Sequence, residues 1–349
     1  VSLSAPVGNR VSSWTHRDAV LVSLRSESVS GIGVAAPLPG FSPDDFATVE
    51  AWVDRQAAQL VLSDPAEPSV PQQLVAWRTE LPLDAPPSCQ FAVESALMQW
   101  LVQRAKRPVH TRRFSSIKLS HLLPTDDPER WTALASELLC TTVRVDCVKC
   151  KIAYATRSRA QELKAVQSLR AVLGPKVEIR LDANACYSAN EARELCALFA
   201  GAGASSIEDP CSAEELLTLG TCALPWIADQ VLVDDTVAQS VLRADGCAAL
   251  SLKPALLGGL ARTVTLATQA TQHNKQLILS HIFDGPVALH ALRQLAVLLP
   301  EELAPSALAA HSALADWPRA IAHRDQDASE ILQGISQYAL SAQQWNLHQ

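Results

Sequence analysis

Five short segments between residues 149 and 253 bring together the side chains of this sequence best suited to chemistry. They read Lys149-Cys150-Lys151, Leu181-Asp182-Ala183-Asn184, Ile207-Glu208-Asp209-Pro210, Ala228-Asp229-Gln230 and Ser251-Leu252-Lys253-Pro254. Two lysines, a run of carboxylates and a third lysine could hold a divalent cation between opposed amines. Such an arrangement can remove a weakly acidic proton next to a carboxylate.

Strand alternation puts Cys147, Lys149 and Lys151 on one face, with the lysines last, at the strand's C-terminal end. Two ammonium groups side by side in a low-dielectric barrel lower each other's pKa, which makes a neutral lysine available as a base near pH 7. An isolated pair of this kind is ordinarily a pair of solvated edge lysines. Here the later segments supply matching partners. Asp182, Glu208 and Asp229 offer one carboxylate each, an oxygen-only set that suits Mg²⁺, with Mn²⁺ as a substitute. Three helix caps at successive strand ends are the competing explanation for the same residues. Asp234-Asp235 is a rival source of the third ligand, but it reads as the cap of the next helix. Lys253 ends the apolar run Leu250-Ser251-Leu252 and precedes Pro254, so it is expected to face Lys151 across a barrel mouth, as a second acid/base or as a cation stabilising an enolate.

The elements that position these groups alternate. Strands are predicted at 143–152, 177–181, 205–208, 225–228, 247–252 and 276–280, with helices at 158–173, 189–200, 212–219, 235–244 and 259–273 between them. The marked residues lie 21 to 31 positions apart, about what one strand, one helix and two loops require. Each therefore falls at the C-terminal end of its strand, the face on which a (β/α) barrel gathers catalytic groups. The first hundred residues differ in character. Val20–Leu24 suggests an antiparallel strand, 36–42 a proline-rich turn, and 43–62 and 91–105 helices. They predict a separate α+β lid, joined through a linker near 107–116. The expected division is a capping domain over 1–110, joined by the C-terminal segment 326–349, and a barrel over 111–325.

Composition narrows the partners. Of 349 residues, 48% are hydrophobic and 19% charged, which fits a globular chain of about two domains. The net charge of −7 weakens any case for nucleic acid or an anionic membrane and leaves a small molecule as the expected partner, which the lysines and carboxylates above make a small-molecule carboxylate. Nine scattered cysteines read as buried free thiols of a reducing compartment. Cys147 and Cys150 have the spacing of a zinc ligand pair, but on a strand they point to opposite faces. No apolar run reaches 18 residues and the start lacks a signal-like layout, so a cytoplasmic enzyme is expected.

This constellation resembles the enolase superfamily, in particular its muconate-lactonising-type branch and above all the o-succinylbenzoate synthases. Besides the five segments, the resemblance rests on Gly258-Gly259, on Gly31-Ile32-Gly33-Val34 leading into Pro37-Leu38-Pro39-Gly40-Phe41-Ser42, on Pro87 to Leu97, and on Ser120-His121-Leu122-Leu123-Pro124. It covers about residues 30–300. The resemblance implies a (β/α)7β TIM-like barrel with an N-terminal α+β capping domain, and a Mg²⁺-dependent loss of water serving menaquinone or phylloquinone synthesis. By position, Lys151 would be the base, Lys149 its electrostatic partner and Lys253 the stabilising cation, with Asp182, Glu208 and Asp229 as metal ligands. Ser280, Arg180 and Asn184 would contact substrate. Two departures stand out: Val34 replaces a glutamate of the family's Gly-x-Gly-Glu segment, and Gln230 replaces a second acid beside Asp229. An N-acylamino acid racemase or dipeptide epimerase, using Lys151 and Lys253 as paired bases, is the enzyme alternative. A catalytically inactive barrel-shaped binding protein is the alternative outside enzymes.

Overall fold

The structure, a computed structural model, describes residues 2–8, 12–26, 29–56, 69–82, 84–104, 113–123, 127–154, 157–309 and 312–314. The segment 326–349, most of the expected linker and residues 57–62 of the first expected helix lie outside the described residues.

The N-terminal cap contains two antiparallel pairs, β1 (Ser2–Gly8) with β2 (Ser13–His16), and β3 (Val20–Ser26) with β4 (Val29–Ala35). Helices α1 (Phe46–Gln56), α2 (Val70–Trp77) and α3 (Pro87–Arg104) follow. α3 is buried nearly all round, as a helix covered on several sides should be: Phe91, Ala92, Val93, Ala96, Leu97 and Met98 are buried together with the polar Gln90, Glu94 and Ser95. β4 lies directly on it. A Cβ at Gly33 would stand 1.7 Å from the Ala92 carbonyl oxygen, and one at Gly31 1.8 Å from that of Ala96. The glycines of the Gly31-Ile32-Gly33 segment are therefore a packing surface for α3. Val34, where the family pattern has a glutamate, is buried in the same core.

The second part is a ring of parallel strands, each followed by a helix. In chain order these are β5 (Ser120–Leu122), α4 (Trp131–Leu139), β6 (Cys147–Lys151), α5 (Arg159–Leu173), β7 (Glu178–Asp182), α6 (Ala189–Gly201), β8 (Ser206–Glu208) and α7 (Ala213–Leu219). Then come β9 (Trp226–Ala228), α8 (Asp235–Arg243), β10 (Cys247–Leu252), α9 (Pro254–Leu257), α10 (Leu260–Gln272), β11 (Gln276–Leu279) and α11 (Pro286–Leu298). The strands pair in sequence order from β5 to β11. An extended segment after α11 closes the ring. Leu303 bridges Leu277 of β11 and Ser306 bridges Leu119, with hydrogen bonds from Ser120 N to Ser306 O (2.9 Å) and from Ser306 N to Lys118 O (3.0 Å). This is the α/β TIM-like barrel with an N-terminal cap that the sequence implied.

Local signals explain the boundaries. Ser158 and Ser188 open α5 and α6 with reciprocal capping boxes to Gln161 and Glu191, and Ser212 caps α7. The strand expected over 143–152 is only Cys147–Lys151. Its neighbour β5 offers three residues, so the β-branched stretch before Cys147 has nothing to pair with. The nine cysteines are free thiols. Among the described residues no helix is long and apolar enough to cross a membrane.

Candidate active site

The strand ends bring the predicted groups to one mouth of the barrel. β6 to β8 are in register, so Lys151, Asp182 and Glu208 are successive Cα partners across three strands. Lys149 Nζ lies between two of the carboxylates, 2.9 Å from Asp182 Oδ2 and 2.6 Å from Glu208 Oε1. Lys253 Nζ is paired with Asp229 Oδ2. Among the described residues Lys151 makes no ion pair; its ammonium donates to the carbonyl of Gly8, at the end of β1, over 2.8 Å.

This difference separates the three lysines electrostatically. Burial pulls the Lys149 pKa down, but Asp182, Glu208 and Asp229 overcome it and raise it above the ordinary lysine value. Burial and the repulsion of Lys149 pull the Lys253 pKa down too, but Asp229, by charge and hydrogen bond, and Glu208 together raise it above the ordinary value. For Lys151 burial dominates; Asp182 opposes it, Lys149 and Lys253 add to it, and the pKa falls to about 8. The mutual lowering expected for Lys149 and Lys151 thus acts on one partner alone, since Lys149 is neutralised by its own carboxylates. Glu208 is pushed up by burial yet held at about 2 by Lys149 and Lys253.

A cavity of about 410 Å³ opens above these groups, within the size range of small-molecule sites. Lys149, Lys151, Asp182, Asn184, Asp229, Gln230, Lys253 and Ser280 line it; Glu208 and Arg180 do not. Arg180 is buried two residues earlier on β7 and donates to the Pro305 carbonyl of the closing segment (3.2 Å), away from any substrate in the cavity. Asn184 takes a left-handed turn (φ 46°) and its N–H donates to Asp182 Oδ1 (3.1 Å). The cap supplies Trp14, Leu38 and Phe41. The Phe41 ring lies 5.7 Å from Lys253 Nζ and the Phe283 ring 5.9 Å from Lys151 Nζ, with Trp14 packed against both rings.

The chemistry of the carboxylates fits a hard divalent cation. They are oxygen-only donors in a buried setting, and Asp229 Oδ1 is buried with no hydrogen-bond partner. Among the described residues no three side chains converge on one point as a finished ligand set, because the two ammonium groups take up carboxylate oxygens that would face an ion. Asp234 and Asp235 are engaged elsewhere. Asp234 Oδ1 accepts the Thr236 and Val237 N–H groups as the cap of α8, and Asp235 pairs with Arg262 at 2.7 Å.

The sequence model of the enolase C-terminal domain-like family matches residues 100–330. The chain belongs to that family. Within the enolase superfamily it falls in the muconate-lactonising branch. The o-succinylbenzoate synthase of Yersinia pseudotuberculosis serotype I is 27% identical over 319 residues, covering 87% of this chain and 86% of the relative. The dipeptide epimerase from Methylococcus capsulatus, solved with Mg and the dipeptide L-Arg-D-Lys, superposes with a TM-score of 0.75 at 21% identity, over 90% of this chain and 89% of that one. The muconate lactonizing enzyme from Pseudomonas fluorescens, complexed with muconolactone, superposes with a TM-score of 0.74 at 20% identity, over 88% and 84%. Family membership makes the chain an enzyme of a superfamily whose members use Mg²⁺.

Sequence reasoning missed Asp209. Its side chain is buried and its backbone left-handed (φ 39°), and its two oxygens accept the N–H groups of Asp229 and Gln230, each at 2.9 Å. It thereby fixes Asp229, whose own backbone is irregular (φ −128°, ψ −88°). In sequence Asp209 is one more acid beside Glu208. Only the register of β8 against β9 reveals what it holds. Gly8 on β1, Trp14 on β2 and Phe283 in the loop after β11 were missed as well, since each reaches the site from a part of the chain far from the five segments.

Proposed function

We propose that this chain is an o-succinylbenzoate synthase, eliminating water from 2-succinyl-6-hydroxy-2,4-cyclohexadiene-1-carboxylate to give 2-succinylbenzoate, a step of menaquinone or phylloquinone synthesis. The carrying observation is the inequality of the two opposed lysines. Among the described residues Lys151 is in no ion pair and has a lowered pKa, whereas Lys253 is held as an ammonium against Asp229. A dehydration needs one base and one fixed cation; racemisation through paired bases needs two lysines that both exchange protons. The 27% identity to curated o-succinylbenzoate synthases supports the same reading.

In this reading neutral Lys151 Nζ takes the proton alpha to the substrate carboxylate. Negative charge spreads into that carboxylate, which Lys253 faces as a cation, and the C–O bond to the ring hydroxyl breaks. The proton on Lys151 goes to the departing hydroxide, so one water leaves and the ring becomes aromatic. Asp182, Glu208 and Asp229 would hold Mg²⁺, which when bound supplies positive charge to the substrate carboxylate oxygens. Lys149, shared between Asp182 and Glu208, offsets part of their combined charge. Ser280 and Asn184 border the cavity where the succinyl chain and carboxylate would lie. Trp14, Phe41 and Phe283 cover the ring and exclude water.

The test is incubation of the purified protein with the cyclohexadiene carboxylate and Mg²⁺, followed by absorbance as the ring aromatises. Turnover is expected. No turnover, together with racemisation of an N-succinylamino acid, would replace this reading with the racemase one.

A further inference from the structure

The strand carrying Lys151 leaves the barrel through a strained residue. Ile152 N still donates to Asp182 O (2.9 Å), the last sheet bond of β6. The next residue, Ala153, has φ 67°. For an L-residue with a Cβ this left-handed geometry is strained, so something must hold it. The holder is Glu162, in the first turn of α5 and only 2% exposed. Its Oε1 accepts the Ala153 N–H at 2.8 Å, and the Tyr154 N–H is a second donor to the same carboxylate. α5 is itself firmly placed by its capping box at Ser158 and by buried Val166, Leu169 and Leu173.

We propose that Glu162 is a positioning residue for Lys151, its buried carboxylate bracing the left-handed turn at Ala153 by which the β6 strand leaves the barrel rim. The inference rests on the reading of Lys151 as the base. Among the described residues the side chain of Lys151 has one hydrogen bond, to Gly8 O. The place of its ammonium is therefore set mainly by the backbone at 151–153. Without Glu162 the alanine is driven back to negative φ, and the chain direction changes two residues beyond the base. The pairing of Lys151 with Asp182 then loses its end stop, so base and first carboxylate shift relative to each other.

Three variants test this: Glu162→Ala, Glu162→Gln, and Glu162→Ala combined with Ala153→Gly. Amide exchange at Ile152–Tyr154 is measured with stability in denaturant and with kcat and KM for the dehydration. Glu162→Ala is expected to speed exchange at the Ala153 amide and to lower kcat by about 10- to 100-fold, the scale of a displacement near 1 Å, while KM changes little. Glu162→Gln keeps an acceptor oxygen and should keep most of the rate. The double variant should recover kcat, because glycine adopts positive φ without strain. Unchanged exchange in Glu162→Ala would remove the brace. Faster exchange with unchanged kcat would remove the link to the base. A fall in kcat that only tracks lost stability and is not recovered in the double variant would leave a structural role and overturn the proposal. Should the parent protein fail to dehydrate the diene, the proposed function fails. The brace is then judged by exchange and by acetic anhydride labelling of Lys151, read by peptide mass spectrometry. Labelling that changes in Glu162→Ala and returns in the double variant supports the proposal, and unchanged labelling overturns it.

Discussion

Substituting Gly33 by alanine should separate the cap's strand from its helix. The new Cβ would stand 1.7 Å from the Ala92 carbonyl oxygen, 2.5 Å from its carbon and 2.8 Å from its Cα. All three atoms are α3 backbone, so no side chain can swing aside. Ordinary contact begins near 3.4 Å, and β4 must retreat by about half that distance, roughly 1.7 Å. The retreat also loosens Val34 and Ala35, which are 2% and 0% exposed. Overpacking costs about 1–3 kcal/mol, and a backbone-on-backbone clash belongs at the upper end, near 3 kcal/mol. With a urea m-value of about 3 kcal/mol/M, the unfolding midpoint falls by on the order of 1 M. KM should rise as well, because β4 leads through Pro37–Pro39 to Phe41 above Lys253. Gly201→Ala is the control: that glycine ends α6 with open space where a Cβ would go, so it should be neutral or stabilising by up to about 1 kcal/mol. Equal midpoints for the parent and Gly33→Ala would refute the packing argument.

Lys151→Ala should abolish dehydration with Mg²⁺ affinity by calorimetry largely kept, and in the parent kcat/KM should rise with pH to a plateau above about 8, where Lys151 is neutral; full turnover by the variant, or a flat profile from pH 6 to 9, would count against Lys151 as the base. Asp229→Asn should weaken Mg²⁺ binding in a metal titration more than Asp234→Asn, whose side chain caps α8, and the opposite order would move the third ligand. Glu94 is fully buried, accepts the Ala261 N–H at 2.8 Å, and is raised to about 7 chiefly by burial, only partly opposed by that hydrogen bond. The folded state therefore binds this proton more tightly than the unfolded chain, and its contribution to stability falls as pH rises from about 4.5 to 7, by on the order of 3 kcal/mol at most. Glu94→Gln should flatten the pH dependence of urea midpoints across that window, and an unchanged slope would assign it to other groups.

The barrel was legible because its signals are local. Apolar runs of strand length, serine caps and regular intervals placed β7 to β11, α5 to α8 and α10 within a residue or two, whereas the single turn of α9 was not foreseen. The same regularity located Lys149 and Lys151 on β6 and Asp182, Glu208, Asp229 and Lys253 at the ends of the four strands that follow. β1, β2 and α4 carry weaker patterns, and the closing segment at 303–306 has no strand-like run, since two isolated bridges are all it supplies. Pairwise choices were not legible either. Nothing in the order of residues says that Lys149 rather than Lys151 takes the carboxylates, or that Asp209 turns its side chain to the amides of Asp229 and Gln230. Those choices depend on which groups the closed ring places within 3 Å of each other.

The bond between Lys151 Nζ and the Gly8 carbonyl spans 143 residues of chain. During synthesis at about 5–20 residues per second, the N-terminal hairpin must wait roughly 7–30 s before the lysine it will cover has even been made. The ring that holds that lysine closes later still, when Ser306 meets Leu119. Until residues 303–306 have been made the ring of strands is open, so the mouth that gathers the lysines and carboxylates depends on one of the last segments to leave the ribosome.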